Sequence, residues 1–446
     1  MRWPRTFRGR IVFILVTGLL ALGTMLGVIG LSIWIEDRFP SEERGRALFP
    51  TVQQVVTRPV VQAVSRQLER QIRKRAEARY MVSGLSLEET IARFQDQSVG
   101  LEQRRLYAYR LARVGTPECI AALLTVLQTA APPDKAFMAQ LIGSTGNPAA
   151  KQSLWPLLGD ENVEARMAAI RGLSVIGGDD VTETLSALLR NERESARIRL
   201  EAAAGLGTVG TTEAQKILVQ TLHERTSRDL TAEVLNSLGR FQFSAVAGTF
   251  EEYLNAPDTP ASLRVVAAEA LAESSSDAAP FLLTVMKTER NPEVRGAAAW
   301  AISSHQAVDN LGAALADATQ QESNADVRRR LYEALLPQAE IPVDRLWSTV
   351  RAEEDVASRV AGFNALGTGV SRAPDSPWAL TFDQEIVPEL LHIATEPNSL
   401  NLQMRAVFAL RRAQTPAAQD ALQIIARQSR SQVATAARNG LRPPKG

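Results

Sequence analysis

The stretch Asn291-Pro-Glu-Val-Arg-Gly-Ala-Ala-Ala-Trp-Ala-Ile302 decides the architecture, because its pattern returns every thirty-odd residues from about residue 100 to the C-terminus. A cation at its fifth position is followed seven residues on by a large aliphatic, with small residues between. Counted along the chain, the pairs are Arg104/Leu111, Lys135/Ile142, Arg166/Leu173, Arg199/Leu206, Thr231/Leu238, Arg264/Leu271, Arg295/Ile302, Arg328/Leu335 and Arg359/Leu366, spaced 31 to 33 residues apart. All but one of the first positions hold Arg or Lys, which chance placement would not give. Two degenerate copies, Gln403/Leu410 and Ala434/Leu441, read as a loosened last repeat and a terminal cap.

Each copy has a second half. After the aliphatic comes a Gly-rich or polar turn, such as Val114-Gly115-Thr116-Pro117 or Ile176-Gly177-Gly178-Asp179, and then another apolar segment such as Leu185-Ser186-Ala187-Leu188-Leu189. Apolar spacings of three and four, richness in Ala, Leu, Glu and Arg, and the start signals Pro292-Glu293 and Asn162-Val163-Glu164 make both halves helical. One such pair cannot bury its apolar stripe alone, so neighbours stack around a continuous core. The pattern predicts an all-α fold: a right-handed α-solenoid of about ten short helix pairs over 100–441.

The Val-Arg-x-x-Ala-Ala-x-Ala-Leu pattern, here Val294-Arg295-Gly-Ala-Ala-Ala-Trp-Ala-Ile302 and Leu263-Arg264-Val-Val-Ala-Ala-Glu-Ala-Leu271, resembles the short HEAT-like repeats also found in phycobilin lyase subunits. The resemblance covers roughly 100 to 441 and implies a fold more than a function. The Trp-Leu-Gly-Tyr and Thr-Pro-Leu-His signatures of tetratricopeptide and ankyrin arrays do not recur.

The chain's 446 residues carry a net charge of +1. That balance argues against nucleic acid as the main partner, since a phosphate-binding surface leaves a basic excess. A lone Cys119 excludes an internal disulfide framework. Ile11 to Ile35 contains no charged residue, longer than the roughly 20 needed to cross a bilayer. It ends Ser-Ile-Trp-Ile rather than at a cleavage site, so it reads as an uncleaved transmembrane helix and not as a signal peptide. Arg2, Arg5, Arg8 and Arg10 precede it, making 1–10 a cytoplasmic tail and the rest extracytoplasmic. The expectation is a single-pass inner-membrane protein of a bacterial envelope, with the lipid bilayer as a partner through 11–35. Gly23 and Gly27 match a Gly-x-x-x-Gly pattern, either a weak self-association face or lipid-facing glycine.

Residues 36–99 do not fit the repeat and read as a juxtamembrane helical stalk. Val55, Val56, Val60, Val64, Leu68 and Ile72 lie near one face, and a basic run begins at Arg66. The stalk either packs on the first repeat with solvated charges or lies on anionic lipid or an acidic partner. Between Arg359 and Gln403 the spacing stretches to 44, an insertion expected as a loop at 367–383. Its Trp378 and Phe382, set between prolines, either anchor a partner or cover the apolar end of the ninth repeat.

Catalytic signals are lacking. Gly205-Leu-Gly207-Thr-Val-Gly210 matches the dinucleotide fingerprint letter for letter, but it follows a helix rather than a strand and coincides with the repeat's own turn. His223, His305 and His392 share no ligand spacing. Deoxyhypusine hydroxylase, an enzyme of HEAT-like repeats that the chain resembles in fold, needs several His-Glu pairs for its iron centre; here only His223-Glu224 occurs. Cys119 falls on an apolar helix face with Leu123, Val126 and Leu127, as a buried thiol does. The expectation is a protein that is not an enzyme and holds no metal or cofactor.

The recurrent cations Arg104, Lys135, Arg166, Arg199, Arg264, Arg295, Arg328 and Arg359 either pair inward along the stack or line a groove. Flanking apolar residues place them at the packed seam. Glu293 and Asp326, two residues before a cation, are the nominated acids, with carbonyls of the preceding repeat as the alternative. Specificity must lie in what varies. Five residues after the cation stand Tyr109, Gln140, Arg171, Ala204, Asn236, Glu269, Trp300, Glu333 and Asn364. Such variability marks an exposed row, and the resemblance to HEAT-like solenoids implies that it faces the concave groove. Trp300 either anchors a partner there or is buried between repeats. The sequence thus points to a membrane-anchored scaffold that binds a protein partner through Tyr109, Arg171, Glu269, Trp300 and Glu333 of the groove or through the 367–383 loop. An accessory or lyase-like subunit of an enzyme complex and a structural spacer in an envelope complex are the alternatives.

Overall fold

The computed structural model describes residues 84–441 apart from 225, 257, 306–307 and 429–430. The described helices of the repeat region alternate between two layers. In one layer lie the cation-bearing helices, among them Val163–Ile176, Ala196–Val209, Arg228–Leu238, Ala261–Ala270, Pro292–Ile302 and Ala325–Leu335. In the other lie their partners, among them Asp179–Arg190, Thr212–His223, Phe243–Asn255, Ala279–Thr288 and Leu311–Gln321. Local chemistry starts the helices where the sequence says. Asn162, Ser195, Thr211, Ser227, Asn291, Asn324 and Asp355 each cap a helix through the side chain, a bond worth about 1 kcal/mol per helix.

The aliphatic at the end of the repeat pattern is the keel of the core. Leu111, Ile142, Leu173, Leu206, Leu238, Leu271, Ile302, Leu335, Leu366 and Leu410 are all fully buried. Between cation and aliphatic, Ala and Gly let successive cation-bearing helices approach closely. A Cβ on Gly207 would fall 2.9 Å from the Cα of Ser237, and one on Gly172 would fall 2.9 Å from the Cα of Gly143. These helices stack on one another along their length, whereas successive helices of the other layer meet at few points or stand apart. Within the repeat unit the cation-bearing layer is therefore the inside of the curve.

Two expectations are corrected here. The 367–383 insertion is not a loop: it lengthens an inner helix to Val356–Arg372 and adds a further helix, Pro377–Glu385. Its apolar residues supply the cause. Phe382 is fully buried, its ring end 3.2 Å from where a Cβ on Gly367 would sit, and Trp378 stacks on Trp347 with centroids 4.9 Å apart. The second concerns localisation. A single-pass membrane protein with an extracytoplasmic solenoid is contradicted, because among the described residues no helix is long and apolar enough to cross a membrane; the longest, Val356–Arg372, has 17 residues. The 11–35 run, Gly23 and Gly27, and most of the 36–99 segment lie outside the described residues.

Candidate functional site: a buried seam and an exposed inner row

The recurrent cations form a ladder. Arg295 grips Glu322 with two hydrogen bonds of 2.7 and 2.8 Å, and its third nitrogen donates to the carbonyls of Glu289 and Arg290. Arg328 holds Glu353 at 2.6 Å twice and donates to the carbonyls of Glu322 and Ser323. Arg359 bonds Glu389 and the Glu353 carbonyl. Arg264 lies 3.2 Å from Glu289, Arg166 2.5 Å from Glu194 and Lys135 2.9 Å from Asp160. Each rung runs forward to an acid 25 to 30 residues on, in the loop that opens the next inner helix, except that Glu389 lies within helix Val387–Thr395. Several of these acids do a second job there. Glu289 and Glu322 accept the backbone N–H of the capping residues Asn291 and Asn324.

The cations lie at the seam and bond carbonyls that precede their own helices, but the two nominated acids are not their partners. Asp326 pairs with Arg329, three residues away, rather than with Arg328, and Glu293 is exposed. Two residues before the cation is the first turn of the same helix, facing the inner surface, where the guanidinium cannot turn back to reach it. The true signal was an acid six residues before the next cation: Asp160, Glu289, Glu322 and Glu353 precede Arg166, Arg295, Arg328 and Arg359 at that spacing. Arg104 is outside the ladder, with a buried Nε that finds no acceptor.

The variable row lies on the opposite side of the same helices. Tyr109, Gln140, Arg171, Asn236, Trp300 and Glu333 are exposed, and Ala204, Glu269 and Asn364 half-buried. Trp300 is 50% exposed, although every neighbour from Gly296 to Ile302 on its helix is buried; of the two fates open to it, burial between repeats is not the one adopted. Among the described residues no aromatic ring packs on it. The other nominated residues are partly engaged. Tyr109 meets Phe137 edge-on at 5.3 Å, Arg171 forks onto Glu201, and Glu333 reaches Arg405 at 3.2 Å. Phe408, 41% exposed, occupies the row position of the degenerate repeat, five residues after Gln403; extending the count into that copy would have found it. Phe382 is buried and offers no contact surface.

The residues that might have carried chemistry are scattered and structural. His305 is buried with Nε2 3.0 Å from the Leu271 carbonyl, and burial holds its imidazole below the usual range. Cys119 is fully buried, and burial pushes its thiol up, away from the thiolate that reactivity requires. Of the fingerprint glycines, Gly205 and Gly207 sit inside helix Ala196–Val209 against Ser174 and Ser237. Only Gly210 is in the turn, at φ 68°, so the motif serves helix contact. Among the described residues no group of three His, Cys, Asp or Glu side chains is placed to hold a metal ion.

No curated protein sequence matches the chain significantly. Among solved structures, Kap121p aligns with TM-score 0.46 and 11% identity over 90% of this chain and 57% of its own. Kap121p bound to Pho4p gives 0.43 and 12% over 87% and 52%. The complex of CpcE and CpcF of phycocyanin lyase from Nostoc sp. PCC7120 gives 0.27 and 16% over 65% and 93%. The chain spans about half the length of the Kap121p chains it matches. The family model for HEAT repeats matches residues 120–198, 156–239 and 249–336, so the stacked helix pairs in these stretches are similar to HEAT repeats.

Proposed function

We propose that the repeat unit is a non-catalytic scaffold that holds a protein partner along its inner face, with Trp300 as the anchor. The carrying observation is the half-exposed indole on a helix whose other central residues are packed alanines. An exposed tryptophan gains nothing for the fold and supplies a large, rigid contact for a partner. The insertion is the weaker candidate surface, because Phe382 is spent on the core and Trp378 on Trp347. A spacer would need only the seam; the departures along the inner row support a binding face instead.

The test places a photoreactive residue at Trp300 in the full chain in cells, with Glu213 on the outer layer as control. A defined protein crosslinked only from position 300, binding the purified chain at least tenfold more weakly after Trp300→Ala, supports the scaffold. Equal capture from both positions, or binding indifferent to Trp300→Ala, overturns it.

A further inference from the structure

Charge on the inner face is neutralised in some repeats and left over in others. Glu164 pairs with Arg197, Glu201 with Arg171, Asp326 with Arg329, and Glu333 with Arg405. In the three helices from Arg228–Leu238 to Pro292–Ile302, by contrast, Asp229, Glu233, Glu269 and Glu293 form no ion pair among the described residues, and Arg240 acts on Glu233 only from beyond salt-bridge distance. Of the cations in this stretch, Arg228, Lys287 and Arg290 form no ion pair with these carboxylates, and the others are engaged elsewhere. Arg240 is bonded to Glu273, Thr208 and the Ala204 carbonyl, Arg264 and Arg295 are in the seam, and Arg228 stands at the start of its helix. Glu233 is the most confined of the four carboxylates. Burial raises its proton affinity, Arg240 opposes that, and Glu201 and Glu273 add to it. The fold thus holds negative charge here that it compensates only in part, through Arg240 and Ser237 at Glu233, and a cation arriving from outside would be favoured.

Trp300 closes this strip, at the same register position as Glu269 one repeat earlier. Beyond it more arginines come in, Arg405 among them already paired with Glu333. Arg330 lies over Gly296, where a Cβ would be 3.2 Å from its Cδ, one turn from Trp300 on the same helix face. Arg405, Arg411 and Arg412 follow further on. Resting on the scaffold reading, we infer that the inner face between Arg228–Leu238 and Pro292–Ile302 takes an extended, cation-bearing segment of the protein partner, its lysine or arginine side chains set against Glu233 and Glu269 and one of them on the Trp300 ring. The ring face attracts such a cation, and the row's repeat spacing suits an extended chain crossing successive helices rather than a compact ligand. An acidic segment would meet repulsion from four carboxylates before reaching the indole.

The probes are three fluorescent 20-residue synthetic peptides, one rich in Lys and Arg, one in Glu and one uncharged, titrated into the purified full chain at low and physiological salt. The basic peptide is expected to bind at least tenfold more tightly than the other two and to weaken with salt. Glu233→Gln with Glu269→Gln should cost it at least tenfold, as should Trp300→Ala, while Glu183→Gln with Glu213→Gln on the outer layer should leave it unchanged. Preference for the acidic peptide, equal loss from the outer pair, or no loss from the inner pair overturns the inference, provided circular dichroism shows the variants folded. A partner captured at Trp300 whose binding ignores the Glu233/Glu269 variant would reject the charge class yet keep the scaffold. Failure of both experiments would reject both.

Discussion

Replacing Arg328 with methionine puts the seam to its hardest test. The Glu353 side chain is 1% exposed and Arg328 19%, so removing the guanidinium strands a buried carboxylate and frees the carbonyls of Glu322 and Ser323. Breaking a buried pair from one side costs about 3–5 kcal/mol; because water reaches part of Arg328, a loss of about 3 kcal/mol is expected. Arg328→Met with Glu353→Leu removes the stranded charge and should recover at least half of that. Lys216→Ala is the control, its partner Glu213 and itself two-thirds exposed, with an expected cost under about 0.5 kcal/mol. Urea unfolding followed by circular dichroism reads the total. Hydrogen exchange should place the loss in Ala325–Leu335, Val343–Arg351 and Val356–Arg372 and leave Val163–Ile176 unchanged, since repeats contact only their neighbours. A single variant no worse than the control, or a double variant as damaged as the sum of its parts, would refute the ladder. The rung at Glu322 adds a pH signature. Burial alone would raise its carboxyl, but bonds from Arg295 and the Asn324 N–H hold it below the ordinary value. A depressed folded pKa gives stability that is present above the unfolded value of about 4.3 and is lost as pH falls through the folded one. Acidification below about pH 4.5 should therefore lower the urea midpoint, and Arg295→Met should flatten that slope.

Two further predictions concern packing. Gly207→Ala drives a Cβ to within 2.8 Å of the Ser237 Cβ and should cost about 1–3 kcal/mol by overpacking, whereas Gly248→Ala, with nothing within 4 Å, should gain about 0.5–1 kcal/mol of helix stability; melting temperatures moving in the same direction would contradict the close approach. Phe382→Ala should cost about 3–5 kcal/mol as a core cavity, while Trp378→Ala should cost about 1 kcal/mol for its ring contact; comparable losses in unfolding would deny the different roles assigned to them.

The repeat was legible because a single spacing governs three independent requirements: the aliphatic that must be buried, the small residues that let inner helices approach, and the cap that starts each helix. Leu271 and Ile302 could be placed in the core from number alone. The acid of each rung was less legible, because Glu322 belongs to the loop before one cation yet serves the cation of the repeat before it. A bond spanning 27 residues is local in space only once the stack is known. The insertion misled for a related reason. Pro377 and the glycines at 367 and 369 read as loop punctuation, but Pro377 sits in the first turn of a helix, where its missing donor costs nothing. Gly367 and Gly369 lie inside Val356–Arg372, pressed against Phe382 and Val343. Exposure of Trp300 could not be read from the pattern, since an indole at a variable position packs as readily as it protrudes.

The ladder itself is interrupted, and the place of the interruption bears on binding. Among the described residues Arg199 meets no carboxylate and donates to the Leu189 carbonyl, while Thr231 stands where the next cation should be and bonds Thr226. Asp258, in the sequence position of a rung acid, is exposed. At these joints the cross-repeat link moves to the inner surface, where Arg240 bonds Thr208 of one neighbouring repeat and pairs with Glu273 of the other. Pairs so exposed are worth about 1 kcal/mol or less, against several for a buried rung. A partner's cations could displace Arg240 from Glu273 at little cost and without disturbing any rung of the seam. The acidic strip with Trp300 therefore begins where the solenoid is braced by groups that a ligand can reach, and separation of the fixed seam from the variable inner row lets one change while the other keeps the fold.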